Sequence, residues 1–317
     1  MSLQDFEKKF GTEEQCREYL FKLRWPNGYR CPKCRCDKAW ETEDHRFRCK
    51  NKDCRHLTTV FGGTLFENTR KPLTQWFRVI WYVTSRTAVA TAQGLEKEVG
   101  LSNRTALSML NIIRCAMAPS MPLKGVVAVD NFFFGGNYVL IAVEEGVGQV
   151  RMTVNRYDPT IKSRVLADHK RGIFKPILAR NRAEINESDI TDFINDYVEQ
   201  GSTIVNNGSS IYGQLTTEGF SSETERTGCY QFNHSDFYYL LPSVYSALSE
   251  LYEKGLLGKL QCFSPRKRNT NDDLSIEHIT NYLHECCFKF NRWNDKETWF
   301  YEILKRAVLP LNENTNA

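Results

Sequence analysis

Two close cysteine pairs constrain this chain more than any other feature. In YRCPKCRCDKAWETEDHRFRCKNKDCRHLTTVF (residues 29–61), Cys31 and Cys34 are two residues apart, fourteen residues follow, and then Cys49 and Cys54 are separated by four. Tetrahedral Zn²⁺ needs two such knuckles, with an intervening segment able to return as a hairpin. Cys36 could substitute for Cys34, and His45 or His56 could compete as ligands. A closed four-thiolate site leaves no open position for water, so zinc here is expected to fold the module rather than to catalyse. Free thiols are the alternative, but a segment this polar offers them no core to join.

The cysteine total of eleven is odd. With the polar start MSLQDFEKKF, it points to a soluble intracellular protein under reducing conditions rather than to disulfides. No apolar run approaches the roughly 18 residues of a membrane span. The net charge of +4 hides an asymmetry, since residues 1–125 carry 22 Lys and Arg against 13 Asp and Glu, and the remainder 20 against 25. A basic N-terminal part suggests contact with a polyanion.

Thr12 and Gln15 form a capping-box pattern ahead of Cys16, Tyr19, Leu20 and Leu23 at helical spacing. Residues 72–117 contain three helical runs, and Pro119 and Pro122 mark a linker. In the last two runs, Ala92, Leu95 and Val99 supply one inner face. Gly100 makes the turn, and Ser102 caps a helix whose inner face is Ala106, Met109, Leu110 and Ile113. This is the rhythm of a helix-turn-helix, with Ser102, Asn103, Arg104 and Thr105 placed to meet DNA. Beyond the linker the pattern changes to strands: GVVAVDNFFFGG, YVLIAVEEG and GQVRMTVNRYD, the last two joined around Glu144 to Gly148. A helix capped by Ser188, the strand STIVN and then mostly helix are expected. Ile276, Ile279, Leu283, Cys287 and Phe290 line one face of the last long helix. Residues 264–273 have the composition of a mobile loop.

The order of these parts resembles the ISXO-like insertion-sequence transposases and their eukaryotic relatives, the Merlin elements. The resemblance rests on the C-x2-C…C-x4-C ribbon, Gly63-Thr64-Leu65-Phe66, Trp76-Phe77, the helix-turn-helix, VD-x-x-x-x-GG, NNG-x-x-x-Y, LP-x-V-Y and YLHECCFKFNRW, across residues 13–294. It implies an α+β multidomain chain: an N-terminal helix (1–28), a zinc ribbon (29–62), a helix-turn-helix domain (70–118), a ribonuclease-H-like α/β domain with extra C-terminal helices (124–308) and a disordered tail (309–317). It also implies DNA cutting and joining by two Mg²⁺ ions held between carboxylates. Asp130 matches the family's first acid, although Asn131 follows where Glu is usual. The second acid precedes Gly208 and Tyr212, and that position is Asn207. The third, a His in one branch of the family, is Tyr245. A later Lys meets Tyr252, with Lys254 nearest, and Asp236 and Glu250 are acids that another alignment would promote. Loss of charge at two or three ligand positions should abolish paired Mg²⁺ binding.

The expectation is therefore a degenerate or domesticated transposase that binds double-stranded DNA, takes structural zinc, needs magnesium only if active and works as a homo-oligomer. It would be DNA-associated in a nucleus or a bacterial nucleoid. The alternatives are an active transposase with misaligned ligands, and a scaffold that has also lost DNA binding. Taken alone, Asn206-Asn207-Gly208 is better read as an ordinary turn.

Overall fold

In the computed structural model, residues 1–134, 137–154, 187–209, 212–213, 215, 219–231, 237–257 and 272–308 are described. The chain divides into two compact units, one formed by Met1–Arg86, Ala90–Ser120 and Asn294–Ala317, the other by Thr87–Val89 and Met121–Trp293.

The first unit begins with α1 (Leu3–Phe10) and α2 (Glu13–Arg24), the latter opened by the full Thr12/Gln15 capping box. A three-stranded antiparallel ribbon follows: β1 (Ala39–Glu41), β2 (Phe47–Cys49) and β3 (Leu57–Thr58). It leans on the end of α2 through a ring cluster of Phe21, Trp25, Tyr29 and Phe47, with neighbouring centroids 5.0–5.7 Å apart. Arg24 reinforces that contact by donating to the carbonyls of Val60 and Gly62. Next come α3 (Leu73–Thr84), α4 (Ala92–Val99) and α5 (Asn103–Ala116). Glu13 accepts hydrogen bonds from the Leu73 and Thr74 N–H groups at 2.9 and 2.8 Å, so its carboxylate caps α3, whose own N-cap is Pro72.

The C-terminal helix α9 (Trp299–Ala307) belongs to this unit, not to the sheet domain, which corrects the expected 124–308 boundary. Its Phe300 completes an aromatic core, with centroids 5.4 Å from Phe10, 6.0 Å from Phe6 and 6.1 Å from Phe77. The apolar stripe of Trp299, Phe300, Ile303 and Leu304 is buried there. Ribbon and helices fall in the same compact unit.

The second unit is a mixed five-stranded sheet with strands β4 (Val126–Phe134), β5 (Asn137–Glu144), β6 (Val150–Val154), β7 (Thr203–Asn206) and β8 (Ser221–Thr224), in the order β6-β5-β4-β7-β8. The first three are antiparallel neighbours, while β7 and β8 run parallel to β4. This is the ribonuclease-H-like arrangement. One face carries Ala128, Phe132, Ile141, Met152 and Val205, covered by α7 (Pro242–Glu253) and α8 (Asp272–Asn291). The other carries Val127, Val129, Leu140 and Ile204 with α6 (Glu187–Tyr197). Of the face expected for α8, Ile279, Leu283, Cys287 and Phe290 are in the core, and the Ile276 side chain lies outside the described residues.

Three strands correct the expectation of mostly helix after STIVN: β8, and β9 (Gly228–Gln231) paired antiparallel with β10 (Phe237–Leu240). Every β8 residue is exposed, so its four positions show no alternation to read. Ser188, the expected cap, falls one residue inside α6, and its side chain lies outside the described residues. So do Gly135-Gly136, Asp236, residues 264–271 of the expected loop and the tail 309–317. Among the described residues, no helix is long and apolar enough to cross a membrane.

Candidate metal centre and candidate active-site pocket

The four ribbon cysteines converge. The sulfurs of Cys31, Cys34, Cys49 and Cys54 all lie within 4.8 Å of one another, with Cys34 to Cys49 at 3.5 Å and Cys31 to Cys54 at 3.8 Å. The knuckles are built locally. The Arg35 N–H returns to the Cys31 carbonyl and the Arg55 N–H to that of Asn51, both at 2.9 Å, while Arg35 and Arg55 take positive φ of 63° and 45°. Burial pushes the Cys49 thiol up to about 12; Cys31, which burial would also raise, is drawn down to about 6 by the Cys34 and Lys33 N–H groups. Four sulfurs this close cannot all ionise without a cation between them, and zinc supplies one. Cys36 is turned away toward the Lys38 carbonyl at 3.7 Å, and His45 faces Glu41 at 3.2 Å, so neither joins the set. Among the described residues, no other group of three or more Cys, His, Asp or Glu side chains converges in this way.

In the helical unit, Gly100 ends α4 at φ 71°, and the Ser102 hydroxyl accepts from the Thr105 N–H to start α5. Leu95, Ala106, Met109, Leu110 and Ile113 are buried, whereas Asn103 and Arg104 are exposed on the first turn of α5.

The sheet brings Asp130 and Asn207 together. Ala128 pairs with Val205 in the parallel β4–β7 ladder, and two residues further along each strand come Asp130 and Asn207. The Asn207 amide nitrogen is 3.5 Å from Oδ1 of Asp130, which also accepts the Asn131 N–H at 2.9 Å. The Leu241 N–H, at the start of α7, donates to Oδ2 at 2.9 Å. Asp130 is only 1% exposed, and desolvation raises its pKa to about 6 against the lowering effect of the Leu241 and Asn131 N–H groups. Tyr212 is buried beside it, its hydroxyl donating to the Val129 carbonyl at 3.3 Å.

The NNG segment is also a turn. Asn206 accepts from the Gly208 N–H at 2.9 Å and Asn207 from the Ser209 N–H at 3.1 Å, while Gly208 has φ 73° and a Cβ there would lie 2.8 Å from the Thr224 methyl. These contacts fix the orientation of the Asn207 amide: its oxygen is engaged by Ser209, and its NH₂ faces the carboxylate. A donor, not a second carboxylate, therefore faces Asp130. One carboxylate beside a neutral amide does not fit a pair of Mg²⁺ ions.

Tyr245 lies one turn into α7, with its ring stacked on Tyr230 at 3.8 Å and 10°. Lys254 pairs with Glu250 and lies 4.8 Å from the Phe290 and Trp293 rings, and Tyr252 is 40% exposed. The YLHECCFKFNRW stretch proves structural. Glu285 and Lys289 form a fully buried pair at 2.8 Å, and the Asn291 amide brackets the backbone of Val150 at 2.8 and 3.0 Å. The Leu241 N–H is the participant that sequence reasoning missed, because a backbone donor leaves no residue-type signal.

Part of the chain is similar to known proteins. Residues 11–57 match the model of the transposase zinc-ribbon domain. An uncharacterized protein in transposable element ISH50 of Halobacterium salinarum is 29% identical over 130 residues, which span 40% of this chain and 43% of that one. These findings support an insertion-sequence transposase-like family for the chain. Among solved structures, the catalytic core domain of BIV integrase has a TM-score of 0.26 at 11% identity, covering 49% of this chain and 82% of its own. A simian T-cell lymphotropic virus intasome in complex with PP2A regulatory subunit B56 gamma gives 0.27 at 13%, covering 65% and 64%. The fold rests on the strand order, not on likenesses this low.

Proposed function

We propose that this chain is a transposase-derived protein that binds double-stranded DNA through its ribbon and helix-turn-helix and no longer cuts it. It associates with DNA as a homo-oligomer. One observation carries the reading: the side chain beside Asp130 is an amide that donates to the carboxylate, so the pocket neutralises its remaining acid with hydrogen-bond donors instead of metal. The basic N-terminal part and the exposed Arg104 at the start of α5 support the DNA-binding half.

The test is a duplex-binding titration across salt concentrations, paired with a cleavage assay in Mg²⁺ and in Mn²⁺. Salt-dependent binding weakened by Arg104→Ala, without cleavage, is expected. Cleavage abolished by Asp130→Ala would establish an active transposase instead. Absence of any duplex affinity would remove the DNA-binding half.

A further inference from the structure

The outer face of the ribbon hairpin is built differently from its inner face. Ala39 pairs with Cys49 and Glu41 with Phe47, and Phe47 and Cys49 are buried. The alternate positions face outward: Trp40 stands directly opposite Arg48, and the Lys50 N–H bonds to the Lys38 carbonyl at 2.9 Å. Lys38, Trp40, Arg48 and Lys50 are all exposed, Trp40 by 56%, and the Lys50 ammonium lies 5.2 Å from the Trp40 ring. Arg46 continues the row and is paired to Asp44 at the turn.

The bland account of these cations is that they balance the charge of the thiolate cluster. It covers Lys and Arg but not Trp40. Trp40 packs into no core: it stands exposed among three cations, one of them against its ring. An aromatic platform edged by positive charge matches one chemistry well, that of an unpaired nucleotide, whose base stacks on the ring while its phosphates meet Lys and Arg. A paired base inside a duplex offers no such face.

We infer that the outer face of the β1–β2 hairpin binds unpaired DNA, with Trp40 stacking on a base and Lys38, Arg48 and Lys50 holding the adjoining phosphates. This rests on the DNA-binding reading and gives this one face of the ribbon a ligand of its own beside the duplex that ribbon and α5 meet.

The experiment compares the full-length zinc-loaded protein with Trp40→Ala and Trp40→Phe on three probes: a single-stranded oligonucleotide, a blunt duplex, and that duplex with unpaired ends. Zinc content and thermal midpoint are matched first, so that a folding defect is not read as lost binding. Trp40→Ala should weaken binding to the single strand and the frayed duplex by roughly 5- to 150-fold, leave the blunt duplex unchanged and keep the salt slope. Trp40→Phe should recover most of the loss. Triple replacement of Lys38, Arg48 and Lys50 by Ala should flatten the salt slope on the single strand. Unchanged single-strand affinity in Trp40→Ala, or an equal loss on the blunt duplex, would overturn the inference while leaving duplex recognition standing. A wild type that binds none of the probes would sink the DNA-binding reading itself.

Discussion

Replacing Asn207 by Asp tests the pocket most directly, because it restores an acid where the structure has an amide donor. The new carboxylate would stand about where the Asn207 nitrogen now is, 3.5 Å from Oδ1 of Asp130. Two unit charges at that separation repel by about 5 kcal/mol at an effective dielectric near 20. The folded chain can escape by keeping one proton on the pair. With Asp130 titrating at about 6, holding that proton at pH 8 costs about 3 kcal/mol, and at pH 6 or below almost nothing. The cheaper route wins, so Asn207→Asp should destabilise the protein by about 3 kcal/mol at pH 8 and by less than about 1 kcal/mol at pH 6. A divalent ion offers the same relief, so Mn²⁺ or Mg²⁺ should raise the thermal midpoint of the variant at pH 8 and not that of the wild type. Thermal unfolding across pH, with and without metal, reads all three effects. Equal stability of variant and wild type at pH 8 without metal would refute the placement of Asn207 against an ionised Asp130. Metal binding by the variant without cleavage would show that a second carboxylate restores metal affinity but not catalysis.

Three further outcomes follow from the same geometry. The raised pKa of Asp130 means that the folded state holds its proton more tightly than the unfolded chain. Its contribution to stability is therefore full below about pH 4 and is lost as pH climbs through about 6, and Asp130→Asn should remove that slope from a plot of denaturant midpoint against pH. Cys49→Ser should lose the zinc and unfold the ribbon, whereas Cys36→Ser should keep a full complement of metal, which elemental analysis would check; equal zinc loss would return Cys36 to the ligand set. Glu13→Ala removes the acceptor for the Leu73 and Thr74 N–H groups and for the Thr74 hydroxyl. It should cost about 1–3 kcal/mol by chemical denaturation, with Glu13→Gln recovering part.

Local signals in the sequence carried far. The cysteine spacing, the Thr12 and Ser102 caps and the Gly100 turn are all decided within a few residues, and the structure places each where its pattern indicates. The adjacency of Asp130 and Asn207 was legible only through the family resemblance, since the two are joined by a parallel ladder across more than seventy residues. What escaped has no local signature. The stripe on α9 announces an amphipathic helix but not which core it will enter, and here the rings of Phe6, Phe10 and Phe77 receive it. Strands as short and exposed as Ser221–Thr224 carry no period. Tyr245 was expected at the third ligand position from the resemblance alone; its ring is engaged by Tyr230, a partner on a hairpin the sequence reading did not foresee.

The persistence of Asp130 beside a neutral partner has an explanation independent of catalysis. One of its oxygens receives the Leu241 N–H at the entry to α7, a helix whose N-cap lacks a side-chain acceptor, and the other receives Asn131 and faces Asn207. The carboxylate therefore ties β4, the end of β7 and the start of α7 to one point, at the helix end where a negative charge is favoured. Hydrogen bonds to a charged acceptor contribute about 1.5–3 kcal/mol each, and here they offset part of the cost of burying the charge, since the pKa of Asp130 stays raised with them in place. Those donors make the buried charge tolerable, and the turn amide of Asn207 is one of them. Under the proposed function, loss of the second acid and retention of the first are a single adjustment, in which an anion pair requiring a cation gives way to one anion surrounded by N–H groups.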